Sequence, residues 1–446
     1  MIPPLLQQFL PPVFWACLLG LAHSYVLYPA LVRFLARRKM GNGRTRQDLV
    51  HSESDPAREW PYLVVAMAAH NEEAVIGETL TSIFRSQYPA DRFEVLIAAD
   101  NCSDGTHGIV QQFRERYPEN LTLRIFPGRN GKIRVINQLV SENRQRLEQR
   151  GDYVLILCDA NVRWSESLPK ELARHFRDPL IGQVAANVLD SRTEHDGIAD
   201  QEEAYVNREN EIKHAEGILW GRMMGAFGAC YAMRARLFEP VPETFIVDDF
   251  YHTMHCFELG HDAIVEPRAV CYEDVSEDIM VEFRRKCRIA TGNFQNLRRF
   301  AKLLLNGFSQ PATVFAFWSH KGLRWFGPFL LLGALVSSAV LSWMHPFYLL
   351  ALAGQLAGLA VAMFDAVLSK SGRHFKPSRF LRYFYLMNLA LLVGFFRFLR
   401  GPRNSVWEPT RRVASHADVP RTEAPPSATP SEIHDPETSP VSATKQ

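Results

Sequence analysis

The chain has 446 residues, of which 47% are hydrophobic, 22% charged and 11% aromatic. That length holds two or three domains and a sizeable core, and the composition excludes a wholly disordered chain, a collagen and a coiled-coil rod. A net charge of +2 excludes a dedicated nucleic-acid binder, which carries a strong basic excess. The near-neutral total is nevertheless a cancellation. Residues 1–46, 282–324 and 366–412 together carry +23, and residues 47–281 carry −17.

No charged side chain precedes Arg33, and Val13 to Val32 supplies about 20 apolar residues, enough to cross a ~30 Å hydrocarbon core. A cleaved signal peptide would have its basic residues before the apolar run. Here Arg33, Arg37, Arg38 and Lys39 follow it, so residues 1–46 are expected to form an anchor, spanning at about 13–32, with its C-terminal end cytoplasmic. The seven cysteines show no CxxC spacing and fit free thiols in a reducing compartment.

Residues 47–300 alternate short apolar runs with helical stretches. Leu63–Met67, Val95–Ala99 and Tyr153–Leu157 have the continuous apolar character of strands buried on both faces. Between them, Glu73–Arg85, Gly105–Arg116 and Lys132–Gln149 have helical spacing. The pattern predicts a doubly wound, Rossmann-like α/β sheet, which binds ligands at the carboxyl ends of its strands. The residues following each strand are therefore the candidates for chemistry. After the first strand stands His70-Asn71-Glu72-Glu73, with no GxGxxG, which argues against a dinucleotide-dependent dehydrogenase. After the second stands Asp100-Asn101-Cys102-Ser103-Asp104-Gly105, which by itself reads as a turn and helix cap. Gly128-Arg129-Asn130-Gly131-Lys132 then opens a helix and offers a lysine and free N–H groups to an anion. After the strand ending at Leu157, Cys158-Asp159-Ala160-Asn161 presents a carboxylate. Paired carboxylates, Asp248-Asp249, follow a later strand-like run. His252, His255 and His261 lie close by but lack a completing carboxylate or cysteine for a metal site.

Residues 301–412 read as membrane-associated: an interfacial helix, a transmembrane hairpin (about 325–343 and 346–368) and a third apolar segment (about 380–399). Asp365 is placed near the cytoplasmic interface. Between Arg382 and Arg397 only 14 uncharged residues remain, about 21 Å of helix, with basic residues on both sides. A re-entrant or interfacial helix is expected there, with a fourth span as the alternative. Residues 413–446, rich in Pro, Ser, Thr and Glu, read as a disordered tail.

The ordered set HNEE, ADNCSDGT, GRNGK and CDAN resembles the nucleotide-sugar (GT-A) domain of family 2 glycosyltransferases. The layout, one catalytic domain between apolar segments, resembles the family's membrane-embedded inverting members, such as the synthases of cellulose, hyaluronan, chitin and poly-N-acetylglucosamine. The resemblance implies that Asn71 and Glu72 lie beside the nucleoside, that Asp100 holds base and ribose with Asp104 supporting its loop, and that Lys132 contacts the nucleotide. It implies that Asp159 is the first carboxylate of a DxD motif that holds Mg²⁺ or Mn²⁺ on the diphosphate. Asn161 stands at the third position and removes one negative charge. Gly225-Ala226-Phe227-Gly228-Ala229 resembles the segment where donor and acceptor sugars meet. Asp248 and Asp249 match the family's paired carboxylates, the second being the general base. Arg284-Arg285-Lys286-Cys287-Arg288-Ile289 stands where the family often has QxxRW. Arg285 and Arg288 keep the spacing for clamping the diphosphate, whereas Ile289 replaces the tryptophan that lines the acceptor entrance in polymerising members. Trp407-Glu408-Pro409-Thr410-Arg411 resembles a short C-terminal motif of the family.

The resemblance thus implies a multi-pass protein of the cell inner (plasma) membrane with a cytoplasmic catalytic domain. It would be an inverting, metal-dependent hexosyltransferase using a nucleotide sugar, UDP-GlcNAc or UDP-glucose, to extend a polysaccharide. Single transfer to a membrane lipid is the alternative, and a catalytically inactive membrane scaffold the third reading. The expected partners are the donor, a polysaccharide or lipid acceptor and the membrane, with room for a partner subunit and no role for nucleic acid.

Overall fold

A computed structural model describes residues 4–43, 60–190, 199–274, 278–369 and 375–401. The Trp407 motif and the tail at 413–446 lie outside the described residues. Chain order begins with α1 (Pro4–Ala22), a π-turn at His23–Leu27 and α2 (Tyr28–Gly41). The α/β body follows as β1 (Tyr62–Ala69), α3 (Ile76–Phe84), β2 (Phe93–Asp100), α4 (Thr106–Arg116), β3 (Leu121–Phe126), α5 (Lys132–Glu148), β4 (Tyr153–Cys158), β5 (Arg163–Trp164), α6 (Leu168–Ala173) and β6 (Ile181–Asp190). It continues with α7 (Ala199–Trp220), β7 (Cys230–Arg234), α8 (Asp249–Glu258), β8 (Asp262–Glu273) and α9 (Ile279–Arg299). Then come α10 (Ala301–Leu305), α11 (Pro311–Phe317), a π-turn at Trp318–Gly322, α12 (Leu323–Trp325), α13 (Gly327–Leu341), α14 (Pro346–Leu368) and α15 (Lys376–Leu399).

The eight strands form one sheet in the order β3-β2-β1-β4-β7-β6-β8-β5. The β3-β2-β1-β4 half is parallel, as the apolar strand runs predict. Every residue of β2 is buried, because helices cover both faces of the sheet. In the second half β7 runs antiparallel to both β4 and β6, and β5 runs antiparallel to β8, so the sheet as a whole is mixed. Chain order reverses between β1 and β4, and the carboxyl ends of β1, β2 and β4 open onto one cleft there.

The flanking helices refine the expected membrane segments. Gln7–Gly41 runs as a 35-residue apolar helix, and Pro346–Leu368 and Pro377–Leu399 are each 23 residues long; all three are long and apolar enough to cross a membrane. The helix at 377–399 continues through both arginines that the charge pattern treats as its limits. Arg382 is matched within the protein: Nη1 donates to Ser369 Oγ at 2.8 Å and lies 3.6 Å from Asp365 Oδ2. Asp365 also accepts from Ser378 Oγ at 2.6 Å, so it joins α14 to α15. The first arm of the hairpin, expected at about 325–343, is shorter and runs as α13 over Gly327–Leu341. A bend of 64° separates Pro311–Trp325 from Gly327–Leu341, which puts Trp325 before the bend.

Candidate active site at the carboxyl ends of the parallel strands

Two turns shape the wall of the cleft formed after β1 and β2. Asn71 and Asn101 both adopt the left-handed conformation, with φ of 54° and 55°. Asparagine tolerates this better than most residues because its short amide bonds locally. Asn71 Oδ1 accepts the Ser103 N–H of the other turn at 2.8 Å. Glu72 is buried, and its N–H donates to Thr106 Oγ1 at 2.8 Å. Asp104 accepts from the N–H and hydroxyl of Thr106 (3.1 and 2.6 Å) and from the Glu73 N–H (3.1 Å), tying one turn to the other. Burial works to raise its carboxyl, but these hydrogen bonds outweigh it and hold the pKa below the ordinary value.

Asp100, at the end of β2, is 1% exposed. One oxygen accepts Asn130 N–H at 2.8 Å, and the other accepts Gly131 N–H at 2.8 Å and Arg129 Nη1 at 2.6 Å. The N–H groups before α5, expected to be free for an anion, thus hold the protein's own Asp100 carboxylate. Gly131 (φ 88°) allows the chain to fold back over Asp100, a conformation that costs glycine little.

The turn ends where Lys132 begins α5. Its Nζ lies 2.7 Å from Asp159 Oδ1 and 3.5 Å from Asp248 Oδ2. Burial disfavours the ammonium, but Asp159 and Asp248 overcome that penalty and raise its pKa. Asp248 is lowered against the effect of its own burial, by Lys132 and then His252. Asp249 behaves oppositely. Burial, then the neighbouring Asp248, push its carboxyl up to about 6, against the pull of Lys132. Asp249 Oδ1 accepts the Phe250 N–H at 2.6 Å, and a Cβ at Gly228 would stand 3.0 Å from Oδ2. Gly225 (φ 86°) passes so close to Phe250 that a Cβ there would lie 2.7 Å from its ring.

Arg285 and Arg288, on α9, both feel the charge of Asp159, and Arg288 also that of Asp248 and Asp249. Burial works to lower Arg285, but Glu282, Glu273 and Asp159 raise it. Arg288 is lowered by burial and by Arg285, with Asp159, Asp248 and Asp249 pulling the other way. The nearby histidines are occupied elsewhere: His252 is 1% exposed and stacks on Phe238 at 5.1 Å, and His255 Nδ1 lies 3.0 Å from Glu239. Burial pushes His252 down to about 4.

Asp159 is half-exposed at the end of β4. The Asn161 amide donates to Glu273 Oε1 at 3.4 Å, which leaves its carbonyl oxygen for other partners. Asp159 and Asn161 together offer oxygen donors, which suit Mg²⁺ or Mn²⁺. Among the described residues no group of three His, Cys, Asp or Glu side chains has metal-holding geometry. A cation here would therefore take its remaining ligands from the phosphates of the nucleotide or from water.

Sequence reasoning overlooked Arg129, Glu273 and Lys213. Arg129 stands inside a motif that was singled out, and its partner is 29 residues away. Glu273 lies on the distant β8. Lys213 gives no signal, because α7 has no sharply defined apolar face.

Residues 64–241 match the family model described as "Glycosyl transferase family 2". Over those residues the chain is similar to family 2 glycosyltransferases. Its relatives include the beta-monoglucosyldiacylglycerol synthase of Synechocystis sp., 28% identical over 275 residues, 58% of this chain and 54% of that protein. The poly-beta-1,6-N-acetyl-D-glucosamine synthase of Staphylococcus epidermidis is 22% identical over 281 residues, 62% of this chain and 63% of that protein. The match thus spans between half and two thirds of each relative's length. A mannosyltransferase from Pyrobaculum calidifontis, solved with GDP-Man and Mn²⁺, shares the fold. Its TM-score is 0.62 at 21% identity, covering 87% of this chain and 99% of that one. Asp100, Lys132 and Asp159 lie within the matched residues, and Asp248, Asp249, Arg285 and Arg288 lie beyond them.

Proposed function

We propose that the protein transfers a hexose from a nucleoside diphosphate sugar to a hydroxyl of a membrane-borne acceptor, with inversion at the anomeric carbon. The observation that carries this reading is the meeting of Lys132, Asp159 and Asp248 in one ion-paired cluster beside Asp249. The nucleoside lies against Asn71, Glu72 and the Asp100–Arg129 pair, with Asp100 shaping the loop that delivers Lys132. Asp159 and Asn161 hold Mg²⁺ or Mn²⁺, which supplies Lewis-acid stabilisation of the diphosphate when bound. Lys132, Arg285 and Arg288 take up the negative charge that develops on the leaving nucleoside diphosphate. Asp249 accepts the proton of the attacking hydroxyl; burial beside Asp248 raises its proton affinity to suit that task near neutral pH.

For the acceptor, we favour a membrane lipid with a single transfer. Ile289 replaces the aromatic residue expected of a polymerising enzyme, and a lipid glucosyltransferase is among the relatives. Extension of a polysaccharide is the second reading, favoured by the similarity to the Staphylococcus synthase. Membranes containing the protein, given labelled UDP-glucose or UDP-GlcNAc, are expected to yield product extractable into organic solvent. Polymeric, non-extractable product would favour the second reading, and no consumption of any nucleotide sugar would overturn both.

A further inference from the structure

Helix α7 places Glu209, Lys213 and Glu216 at a spacing that brings all three to one face. Each of these side chains is at most 3% exposed. The two glutamates are fully engaged. His320 Nε2 and Arg324 bond Glu209 Oε1, and Lys321 bonds Oε2. Glu216 Oε1 accepts from the Tyr28 hydroxyl at 2.8 Å and lies 2.8 Å from His320 Nδ1, while Oε2 accepts the Met224 N–H at 3.0 Å. Neither carboxylate is hydrogen-bonded to Lys213. Among the described residues Lys213 has no hydrogen bond and no ion pair. Its Nζ instead stands 3.3 Å from the centroid of the Phe227 ring. Phe227 precedes Gly228, the residue that lies against Asp249.

A buried ammonium resting on an aromatic face is incompletely compensated, and an anion is what completes it. Its position indicates where the anion comes from. Tyr28 belongs to the N-terminal apolar helix, and His320, Lys321 and Arg324 lead into apolar α13. Lys213 therefore sits between the membrane-associated elements and Asp249, while Lys132 is taken by Asp159 and Asp248. We infer that Lys213 binds a phosphate carried by the lipid acceptor, so that the acceptor is an anionic lipid whose hydroxyl is presented to Asp249. This rests on the transferase reading above. Burial, and then repulsion by Lys321, hold the free ammonium down to about 7 against the pull of Glu209 and Asp249, and an arriving phosphate would favour the charged form.

The test uses the full chain purified in dodecyl maltoside, a neutral amphiphile, with calorimetric titration of UDP plus Mn²⁺, dodecyl phosphate and inorganic phosphate. Wild type is expected to bind dodecyl phosphate about tenfold or more tightly than Lys213→Met and Lys213→Gln, as loss of a charge-assisted bond implies. Affinity for UDP is expected to be the same in all three. Equal binding of dodecyl phosphate by wild type and variants, or no binding by wild type, would overturn the inference. Inorganic phosphate binding as tightly as dodecyl phosphate would overturn the lipid assignment. Loss of UDP affinity in a variant that remains folded by circular dichroism would move Lys213 to the donor. If the methionine variant does not fold, the glutamine variant decides. Failure of wild type to bind UDP with Mn²⁺ would count against the transferase reading itself.

Discussion

Asp249 is where environment changes what a residue can do. Asp248 and Asp249 are adjacent and chemically identical, yet Lys132 holds one ionised while burial and like charge raise the other to about 6. A base must be ionised to accept a proton. Transfer is therefore expected to be fully active above this value and to fall as pH drops through about 6, with unit slope in a plot of log initial rate against pH. Asp249→Asn is expected to lower transfer by about 10²- to 10⁴-fold while UDP affinity, read by calorimetry, is unchanged. Transfer at the wild-type rate would remove Asp249 from the reaction. Lys132→Met leaves Asp159 and Asp248 facing each other uncompensated, and UDP affinity measured with Mn²⁺ is expected to fall about tenfold. The candidate carboxylates were legible because each follows an apolar run. The orientation of Asp100 was not. Nothing in ADNCSDGT shows that its oxygens are filled by residues 129–131, since that contact depends on how two loops fold over one strand end.

At the scale of elements, the strands declared themselves through composition. A strand covered on both faces is largely apolar, as are β1, β4 and the Val95–Ala99 run of β2. Helix limits were less legible where charges sit inside a helix, as at α15, because the partner that neutralises Arg382 lies on α14. Helix α15 also supports the arginines. A Cβ at Gly394 would lie 2.4 Å from Ala290 Cβ and 2.9 Å from the Cys287 carbonyl, so α15 rests directly on α9 between the turns carrying Arg288 and Phe294. Gly394→Val must push the helices apart, and overpacking of this kind typically costs about 1–3 kcal/mol. The expected result is a lower thermal unfolding midpoint in detergent together with reduced transfer, because Arg285 and Arg288 lose their backing. An unchanged midpoint would show that the two helices separate freely.

The charge pattern with which the chain opens becomes intelligible on the scale of the whole molecule. The basic stretches flank apolar helices, where they would meet anionic headgroups if those helices span a membrane, and the acidic excess belongs to the α/β body. Extraction of membranes with alkaline carbonate is expected to leave the protein in the pellet; its release would show that the apolar helices do not span. The anchor is joined to the body by more than a tether. Tyr28, Val32 and Ala36 share a buried cluster with Ile212, Ala215 and Ile218 of α7, and the Tyr28 hydroxyl caps a carboxylate that has no access to water. The apolar helix that carries Tyr28 is thus a surface on which α7, later in the chain, completes itself. A fragment begun at residue 60 would lack that surface, leaving Ile212, Ala215 and Ile218 uncovered beside a glutamate that has lost one of its partners, so solubility would be sacrificed by removing an apolar part of the chain.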